Sequence, residues 1–184
     1  MSILTFGELR RIGQEAPLEA RYNSLLKTAR LEKSADQKPG NVLVFLSHSH
    51  TDNNTAHWAI NLIKRYGGNA WVDWLDPEMP SQTNAETATM LKRKITSCQK
   101  FILLATPDAL QSRWVPWELG YADSVKTLDN VALLPIRDDN YDYPENEYLG
   151  IYKSIQQAED GQFGVFPPPP NDENGISLKR WLTS

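Results

Sequence analysis

The sequence has one cysteine, no long apolar run and no excess of positive charge. Cys98 has no partner for an internal disulfide, so a reducing, cytoplasmic location is expected. No apolar run approaches the roughly 20 residues of a membrane span, and charged residues near the start replace the apolar segment of a signal peptide. The formal net charge is -4 and no basic run occurs, which argues against binding to nucleic-acid phosphates. We therefore expect neither a membrane nor a nucleic acid as a partner.

The glycine-rich motifs that bind phosphate groups are also missing. Neither a Walker-type glycine-lysine run nor a dinucleotide fingerprint follows the first apolar segment. If a nucleotide binds, side chains and hydroxyl groups must hold it in place of a glycine cradle.

Strand and helix patterns alternate between residues 41 and 136. Short runs rich in apolar and β-branched residues predict strands at 42–46, 70–74, 101–105 and 131–136. Apolar stripes at helical spacing predict helices between them, at 55–65, 85–97 and 116–128. This alternation predicts an α/β fold, with a flavodoxin-like parallel sheet of four to five strands and helices on both faces.

The chain is predicted to form one domain with an extension at each end. Residues 1–40 have apolar groups at helical spacing followed by a polar stretch, which predicts a helical extension and a linker. The domain is predicted over 41–160 and includes a last helix at 148–158. Residues 161–184 contain a run of four prolines before a short helix, which we expect to pack Trp181 on the domain.

Ligands bind to such sheets outside the carboxyl ends of the strands, where the strand order reverses. The loops after the first three strands should therefore meet in one cleft. Polar and aromatic side chains are concentrated in these loops: Ser47, His48, His50, Asp52, Asp73, Trp74, Asp76, Trp114 and Glu118. This mixture is typical of a small-molecule site.

Several of these residues also have a purely structural interpretation. Three candidate metal ligands occupy alternate positions of one loop: His48, His50 and Asp52. Three such residues on a single loop are a weak signal for a metal site, so no metal site is predicted. Asp52 could instead cap the following helix, and Asp73 and Asp76 could shape a turn.

Glu118 lies among large apolar side chains, in the segment WVPWELGYA at the start of a predicted helix. A carboxylate in a first helical turn is favoured by free backbone amides and the helix dipole, by about 0.3 to 1 kcal/mol. Helical spacing also predicts that Glu118 shares a stripe with Tyr121, Ala122 and Val125, and that this stripe faces the sheet. An ionised acid there needs a partner, which a ligand in the cleft would supply.

Four segments are more informative together than any one of them alone. They are VLVFLSHSHTD at 42–52, AWVDWLD at 70–76, KITSCQKFILLAT at 94–106, and SRW at 112–114 followed by WEL at 117–119. In this order and spacing, they resemble the TIR (Toll/interleukin-1 receptor) domain family, in particular the short bacterial members of anti-phage, Thoeris-like defence. The resemblance implies the same flavodoxin-like sheet.

Enzymatic TIR domains cleave NAD+ at the bond between nicotinamide and ribose. The resemblance therefore implies an NAD+ nucleosidase or cyclase, with NAD+ as substrate and no cofactor. It implies that Glu118 is the catalytic glutamate and that Trp114 lies beside the nicotinamide. It implies a substrate site lined also by Ser47, His48, Asp73, Trp74 and Asp76. The product would be ADP-ribose, a cyclic isomer or a conjugate, acting on a separate effector, and the domains would self-associate through TIR surfaces.

Two other functions stay open at this point. Many TIR domains act only as interaction scaffolds, but animal examples of this kind often lack the glutamate, so Glu118 favours an enzyme. Nucleoside deoxyribosyltransferases share the architecture and also use a carboxylate on ribose. The tryptophan-rich turn and the SHSHTD loop favour the TIR interpretation over the transferase.

Overall fold

The structure, a computed structural model, describes residues 2–14, 42–80, 84–139, 150–168 and 174–184. The strands are β1 (Leu4–Thr5), β2 (Val42–Ser47), β3 (Gly68–Trp71), β4 (Lys100–Ala105), β5 (Val131–Arg137), β6 (Lys153–Gln157), β7 (Phe163–Phe166) and β8 (Ile176–Ser177). The helices are α1 (Phe6–Gly13), α2 (Asn53–Arg65), α3 (Ala85–Ser97), α4 (Pro107–Gln111), α5 (Val115–Val125) and α6 (Leu178–Trp181). Short 3-10 turns cover His50–Asp52, Asp73–Leu75 and Leu128–Asn130.

The centre of the molecule is a parallel sheet in the order β3-β2-β4-β5-β6. The apolar runs of β4 and β5 are buried along almost their whole length, as central strands covered on both faces must be. The strand order reverses between β2 and β4, which is the flavodoxin-like arrangement. The predicted fold class is therefore confirmed. The sheet is larger than expected, because β7 and β8 continue it with antiparallel strands.

Helices cover both faces of the sheet. On one face, α1, α2 and α6 bury Leu9, Ile63 and Trp181 against the strands. On the other face, α3, α4 and α5 bury apolar side chains such as Ile95 and Leu119. No helix in the described part of the chain is long and apolar enough to cross a membrane.

The described start of the chain contains a helix, as expected, but a strand of this sheet precedes it. Leu4 and Thr5 were expected in a helix, but they form β1, which pairs with the end of β5 beyond the point where β6 stops. Thr5 then begins α1 through a capping box with Glu8. Gly13 lets α1 approach α2 closely, since a Cβ there would lie 2.6 Å from the Cα of Trp58. Residues 15–41, which hold the rest of the predicted extension and the linker, lie outside the described residues.

The helix predicted at 148–158 is wrong in the part that the structure describes. Residues Lys153–Gln157 form β6, which lies between β5 and β7. Lysine and glutamine favour helices when isolated, but pairing with two neighbouring strands outweighs that preference. The predicted second strand is also shorter than expected, because the chain turns at Asp73 into a 3-10 turn.

The last helix returns to the sheet after the proline-rich segment, of which residues 169–170 lie outside the described part. The side chain of Trp181 is 1% exposed. Its indole nitrogen donates a 2.7 Å hydrogen bond to the carbonyl of Asp129, and the ammonium of Lys100 lies 4.9 Å from its ring centroid. These contacts hold α6 against the edge opposite to the candidate site.

Candidate active site

A cavity of about 240 Å³ lies at the carboxyl ends of the central strands. Five residues predicted for the site line it: His48, Asp73, Trp74, Trp114 and Glu118. His50, which was expected in the cleft but not as a substrate ligand, also lines it. Five further lining residues were not predicted: Met79, Pro80, Thr87, Leu91 and Ser112. Two of these five, Thr87 and Leu91, lie one helical turn apart on α3, and this spacing is the sequence signal that could have identified them.

Glu118 lies in the first turn of α5 and is 7% exposed. The buried positions of this helix are Val115, Glu118, Leu119 and Ala122. The predicted stripe was therefore partly wrong, because Tyr121 is half-buried and Val125 is 42% exposed. The face of α5 that packs on the sheet is rotated from the predicted one, and Glu118 still lies on it.

Ser47 and Ser112 fix the position of this glutamate. Ser47, which was predicted to line the substrate site, is the last residue of β2, is 1% exposed and lies outside the cavity lining. Its hydroxyl donates a 2.5 Å hydrogen bond to Oε2 of Glu118. The hydroxyl of Ser112 accepts from the backbone amides of Trp114 and Val115, which start α5. Within the described residues, Ser47 provides the one side-chain hydrogen bond to Glu118, and Glu118 also lines the cavity.

Burial raises the pKa of Glu118 to about 8. The hydrogen bond from Ser47 opposes this shift, and the negative charge of Asp73 adds to it. Burial therefore favours the uncharged carboxyl group at neutral pH. A positive charge in the cavity would reverse that preference, because an opposite charge stabilises the carboxylate.

His48 and Trp74 form a hydrogen-bonded pair on one side of the cavity. Nε1 of Trp74 lies 2.9 Å from Nε2 of His48, and Nδ1 of His48 lies 3.2 Å from the carbonyl oxygen of Leu46. The ring of His57 contacts the indole of Trp74 edge-on, with 4.6 Å between centroids. Burial lowers the pKa of His48, although the negative charge of Asp73 acts in the opposite direction.

Asp73 and Trp114 approach the cavity from different elements. Oδ1 of Asp73 accepts a 2.8 Å hydrogen bond from the backbone amide of Trp74, and its side chain is 23% exposed. Trp114 is half-buried and packs edge-on against Trp117, with 5.2 Å between ring centroids. An acid and an aromatic wall are therefore both accessible from the cavity.

Asp52 occupies the N-cap position of α2, but its side chain makes no capping hydrogen bond there and lies outside the cavity lining. Its carboxylate accepts a 2.5 Å hydrogen bond from the hydroxyl of Thr106, and it is 5% exposed. This contact ties the loop after β2 to the loop after β4. Across the ranges that the structure describes, no three His, Cys, Asp or Glu side chains are grouped as a metal site.

Asp76 lies outside the cavity lining, in contrast to the prediction that it binds substrate. Its Oδ2 lies 2.9 Å from Nζ of Lys94 and accepts a 3.1 Å hydrogen bond from the indole of Trp71. Its Oδ1 accepts from the backbone amide of Glu78. Burial disfavours its charge, but the hydrogen bond from Glu78 and the ammonium of Lys94 outweigh burial and lower the pKa of Asp76. The contacts of Asp76 anchor the loop below the site.

Replacing Asp76 with asparagine is therefore expected to lower stability and leave substrate affinity unchanged. Removing the charge weakens the contacts to Lys94 and Trp71, at a cost of about 1 to 3 kcal/mol in the free energy of unfolding. The loss should shrink as pH falls through the lowered pKa of Asp76, because the wild-type carboxylate is then protonated. Urea denaturation at neutral and acid pH measures this. A changed KM at unchanged stability would instead make Asp76 a substrate ligand.

The chain is similar to a family model, to two relatives and to one solved structure. A family model described as the TIR domain matches residues 44–163. The chain is 36% identical over 119 residues to a Bacillus cereus (strain MSX-D12) protein named probable 3' cyclic ADP-D-ribose synthase ThsB', an alignment that covers 62% of this chain and 61% of that protein. It is 29% identical over 92 residues to a Cytobacillus dafuensis protein named putative cyclic ADP-D-ribose synthase TIR2, covering 46% of this chain and 24% of that protein.

The chain thus spans 61% and 24% of the lengths of these two relatives. The crystal structure of a prokaryotic SEFIR domain aligns with a TM-score of 0.48 and 11% identity, covering 78% of this chain and 99% of that chain. The family model covers more than half of the chain, including the elements that carry Ser47, Asp73 and Glu118. The chain belongs to the TIR domain family.

Proposed function

We propose that the chain cleaves NAD+ at the bond between nicotinamide and ribose, with Glu118 as the catalytic carboxylate. The observation that carries this proposal is a buried carboxyl group at the carboxyl edge of the parallel strands, facing a cavity and hydrogen-bonded by Ser47. The names of the two relatives, both cyclic ADP-D-ribose synthases, support the same chemistry.

One fixed carboxylate is sufficient for this reaction. The electron pair of the broken bond moves onto the nicotinamide ring, which was a pyridinium cation in NAD+ and leaves as a neutral molecule. The leaving group therefore needs no proton and no general acid. The positive charge passes to the ribose, as in the oxocarbenium-like transition state of glycoside hydrolysis. In our proposal Glu118 stabilises that charge from a preorganised position.

The raised pKa of Glu118 fits a cationic substrate. Burial raises the pKa of this carboxyl group to about 8. When the pyridinium enters the cavity, its charge lowers the pKa of Glu118 and the proton leaves to solvent. The substrate thus increases the ionised fraction of the carboxyl group that stabilises its transition state.

The cavity suits one end of NAD+ better than the whole dinucleotide. Its volume is about 240 Å³, whereas pockets that enclose an entire drug-sized ligand have roughly 300 to 1,000 Å³. We therefore place the nicotinamide and its ribose inside the cavity, between the aromatic side chains of Trp74 and Trp114. Asp73 would lie near the ribose hydroxyls, and the adenosine part would extend out of the cavity.

The group that captures the ribosyl cation decides the product. Water gives ADP-ribose, a hydroxyl or the adenine of the same molecule gives a cyclic isomer, and another nucleophile gives a conjugate. The names of the relatives favour a cyclic product.

We also propose that the domains self-associate when active, and that the product acts in the cytoplasm on a separate effector in anti-phage defence. Survival of phage-challenged cells with wild-type or Glu118→Gln protein tests that role.

The proposed reaction is tested by incubating the full chain with NAD+ at increasing protein concentration. Free nicotinamide is measured by chromatography and the nucleotide product by mass spectrometry. We expect nicotinamide and product in equal amounts, at a rate that rises with protein concentration. A parallel reaction with a deoxynucleoside and a free base tests the transferase: base exchange without nicotinamide release would overturn the proposal. Self-association with neither reaction would instead identify a scaffold.

Replacing Trp114 with alanine is expected to lower kcat/KM for NAD+ by about tenfold, because one aromatic stacking contact with the nicotinamide is lost. Steady-state kinetics of nicotinamide release measure this. Trp114→Phe is the matched control, since it keeps an aromatic ring and should retain most of the activity. If Trp114→Ala lowers the melting temperature but leaves kcat/KM unchanged, Trp114 has only a packing role.

A further inference from the structure

The contact between Trp74 and His48 defines the protonation state of the histidine. An indole nitrogen carries a hydrogen and cannot accept one, so Trp74 is the donor across the 2.9 Å between Nε1 and Nε2 of His48. Nε2 is therefore unprotonated. On the other side of the ring, the carbonyl oxygen of Leu46 can only accept, so Nδ1 carries the hydrogen across 3.2 Å. The geometry specifies one state, the neutral imidazole with its hydrogen on Nδ1.

We propose that His48, held as this tautomer, is a positioning residue that orients Trp74 as a wall of the cavity and does not itself bind the substrate. Its side chain is 4% exposed and both ring nitrogens are engaged by the protein. Trp74 is half-buried and faces the cavity. The role in catalysis rests on the proposed cleavage of NAD+, whereas the tautomer rests on the contacts alone.

Two contacts together fix the orientation of the indole. His48 holds its N–H group, and the ring of His57 packs against it with 4.6 Å between centroids. The backbone amide of Trp74 is bonded in addition to the carboxylate of Asp73. Because the indole of Trp74 is already held in one orientation, it presents one ring face to a planar ligand. Binding then costs less conformational entropy, since the side chain does not have to be ordered by the ligand.

Protonation of His48 would break this arrangement. An Nε2–H group would face the indole N–H, so two donors would oppose each other without an acceptor. The carboxylate of Asp73, 3.9 Å from Nε2, would attract the charged ring instead. The other titratable groups that act on His48 are His50 and His57, which both oppose its charge. Because burial lowers the pKa of His48, the wall is intact at neutral pH and is lost only at a pH more acid than that at which an ordinary histidine is protonated.

Two substitutions of similar size separate positioning from simple packing. In His48→Gln the side-chain oxygen reaches about as far as Nε2 and can accept from Trp74, whereas His48→Asn reaches only to the position of Nδ1. We expect His48→Asn to raise KM for NAD+ by about tenfold with kcat changed less than about threefold, and His48→Gln to keep a KM near that of wild type. Both proteins share the pH dependence that comes from Glu118. At acid pH, where His48 becomes protonated, wild-type KM should rise more steeply than that of His48→Gln.

Melting temperatures of both variants establish that they are folded. Equal KM values for the two variants, or an unchanged acid dependence in His48→Gln, would overturn the positioning role while the proposed reaction stands. Absence of NAD+ cleavage by the wild-type chain would instead overturn the proposed function and, with it, the role of His48 in that function.

The tautomer is tested without any substrate. Nitrogen-15 NMR at neutral pH should show Nδ1 protonated and Nε2 unprotonated in His48, with a slowly exchanging indole N–H from Trp74. His48→Gln should preserve that indole signal and His48→Asn should shift it toward the solvent-exposed position. Trp74→Phe, which removes the donor, should raise the pKa of His48. A charged ring, or a hydrogen on Nε2, at neutral pH would overturn the inference.

Discussion

Replacing Glu118 with glutamine is expected to slow the release of nicotinamide from NAD+ by roughly 1,000-fold. Glutamine has nearly the shape of glutamate, and its side-chain oxygen can still accept the hydrogen bond from Ser47. What it cannot provide is the negative charge that stabilises the ribosyl cation. The loss should therefore appear mainly in kcat, measured by chromatography of nicotinamide under saturating NAD+.

Glu86→Gln is the matched control for this substitution. Glu86 also lies in the first turn of a helix, α3, but its side chain is exposed and lies outside the cavity lining. The Glu86→Gln variant should lose only the interaction of this charge with the helix dipole, about 0.3 to 1 kcal/mol of stability, and should keep its activity. If a folded Glu118→Gln variant retained more than about a tenth of wild-type activity, Glu118 would not be the catalytic carboxylate.

The same Glu118→Gln substitution is expected to stabilise the fold, and increasingly so as pH rises. The pKa of Glu118 is about 8 in the folded chain and near 4.5 when it is unperturbed. Between these values the folded state holds a proton that the unfolded state has released, so wild-type stability falls as pH rises from 4.5 toward 8. Glutamine does not titrate and avoids this loss.

The expected difference near pH 8 is on the order of 4 kcal/mol in the free energy of unfolding. For a chain of this size it corresponds to a melting temperature about 10 °C higher than that of wild type. Below pH 4.5 the two proteins should melt at nearly the same temperature, since Glu118 is then protonated in both states. Thermal melts across this pH range measure the difference, with Glu86→Gln expected to follow wild type. A difference that does not change with pH would contradict the buried, protonated carboxyl group.

The loss of activity and the gain in stability expected for Glu118→Gln follow from one property of the site, the burial of an ionisable acid. Burying an ionisable acid lowers stability at neutral pH, and a purely structural position would favour a neutral side chain there. A carboxyl group retained in such a place is typical of a functional site, where reactivity opposes stability.

Much of the fold and the location of the site could be predicted from the sequence. The strands β2, β4 and β5 are continuous apolar runs, and such runs are buried centrally in a parallel sheet. Once the sheet is known, its carboxyl edge identifies the loops that form the cleft. That reasoning brought Glu118, Trp114, His48 and Asp73 together, and all of them line the cavity.

The errors concern features that depend on tertiary contacts. The short strands β1 and β6 exist because β5 offers them partners, and two to five residues carry too little periodicity to indicate pairing. Asp76 was grouped with the cavity by its position after β3, but the contacts to Lys94 and Trp71 direct it away. The hydrogen bond between His48 and Trp74 joins residues 26 positions apart and has no sequence pattern.

The most direct test of the account is a crystal structure of the Glu118→Gln variant with NAD+, in which binding is retained and cleavage is slow. We predict that the hydroxyls of the nicotinamide-side ribose lie within hydrogen-bond distance of the side chain at position 118, with the nicotinamide ring against Trp114. Binding of the dinucleotide elsewhere, with this cavity empty, would contradict it.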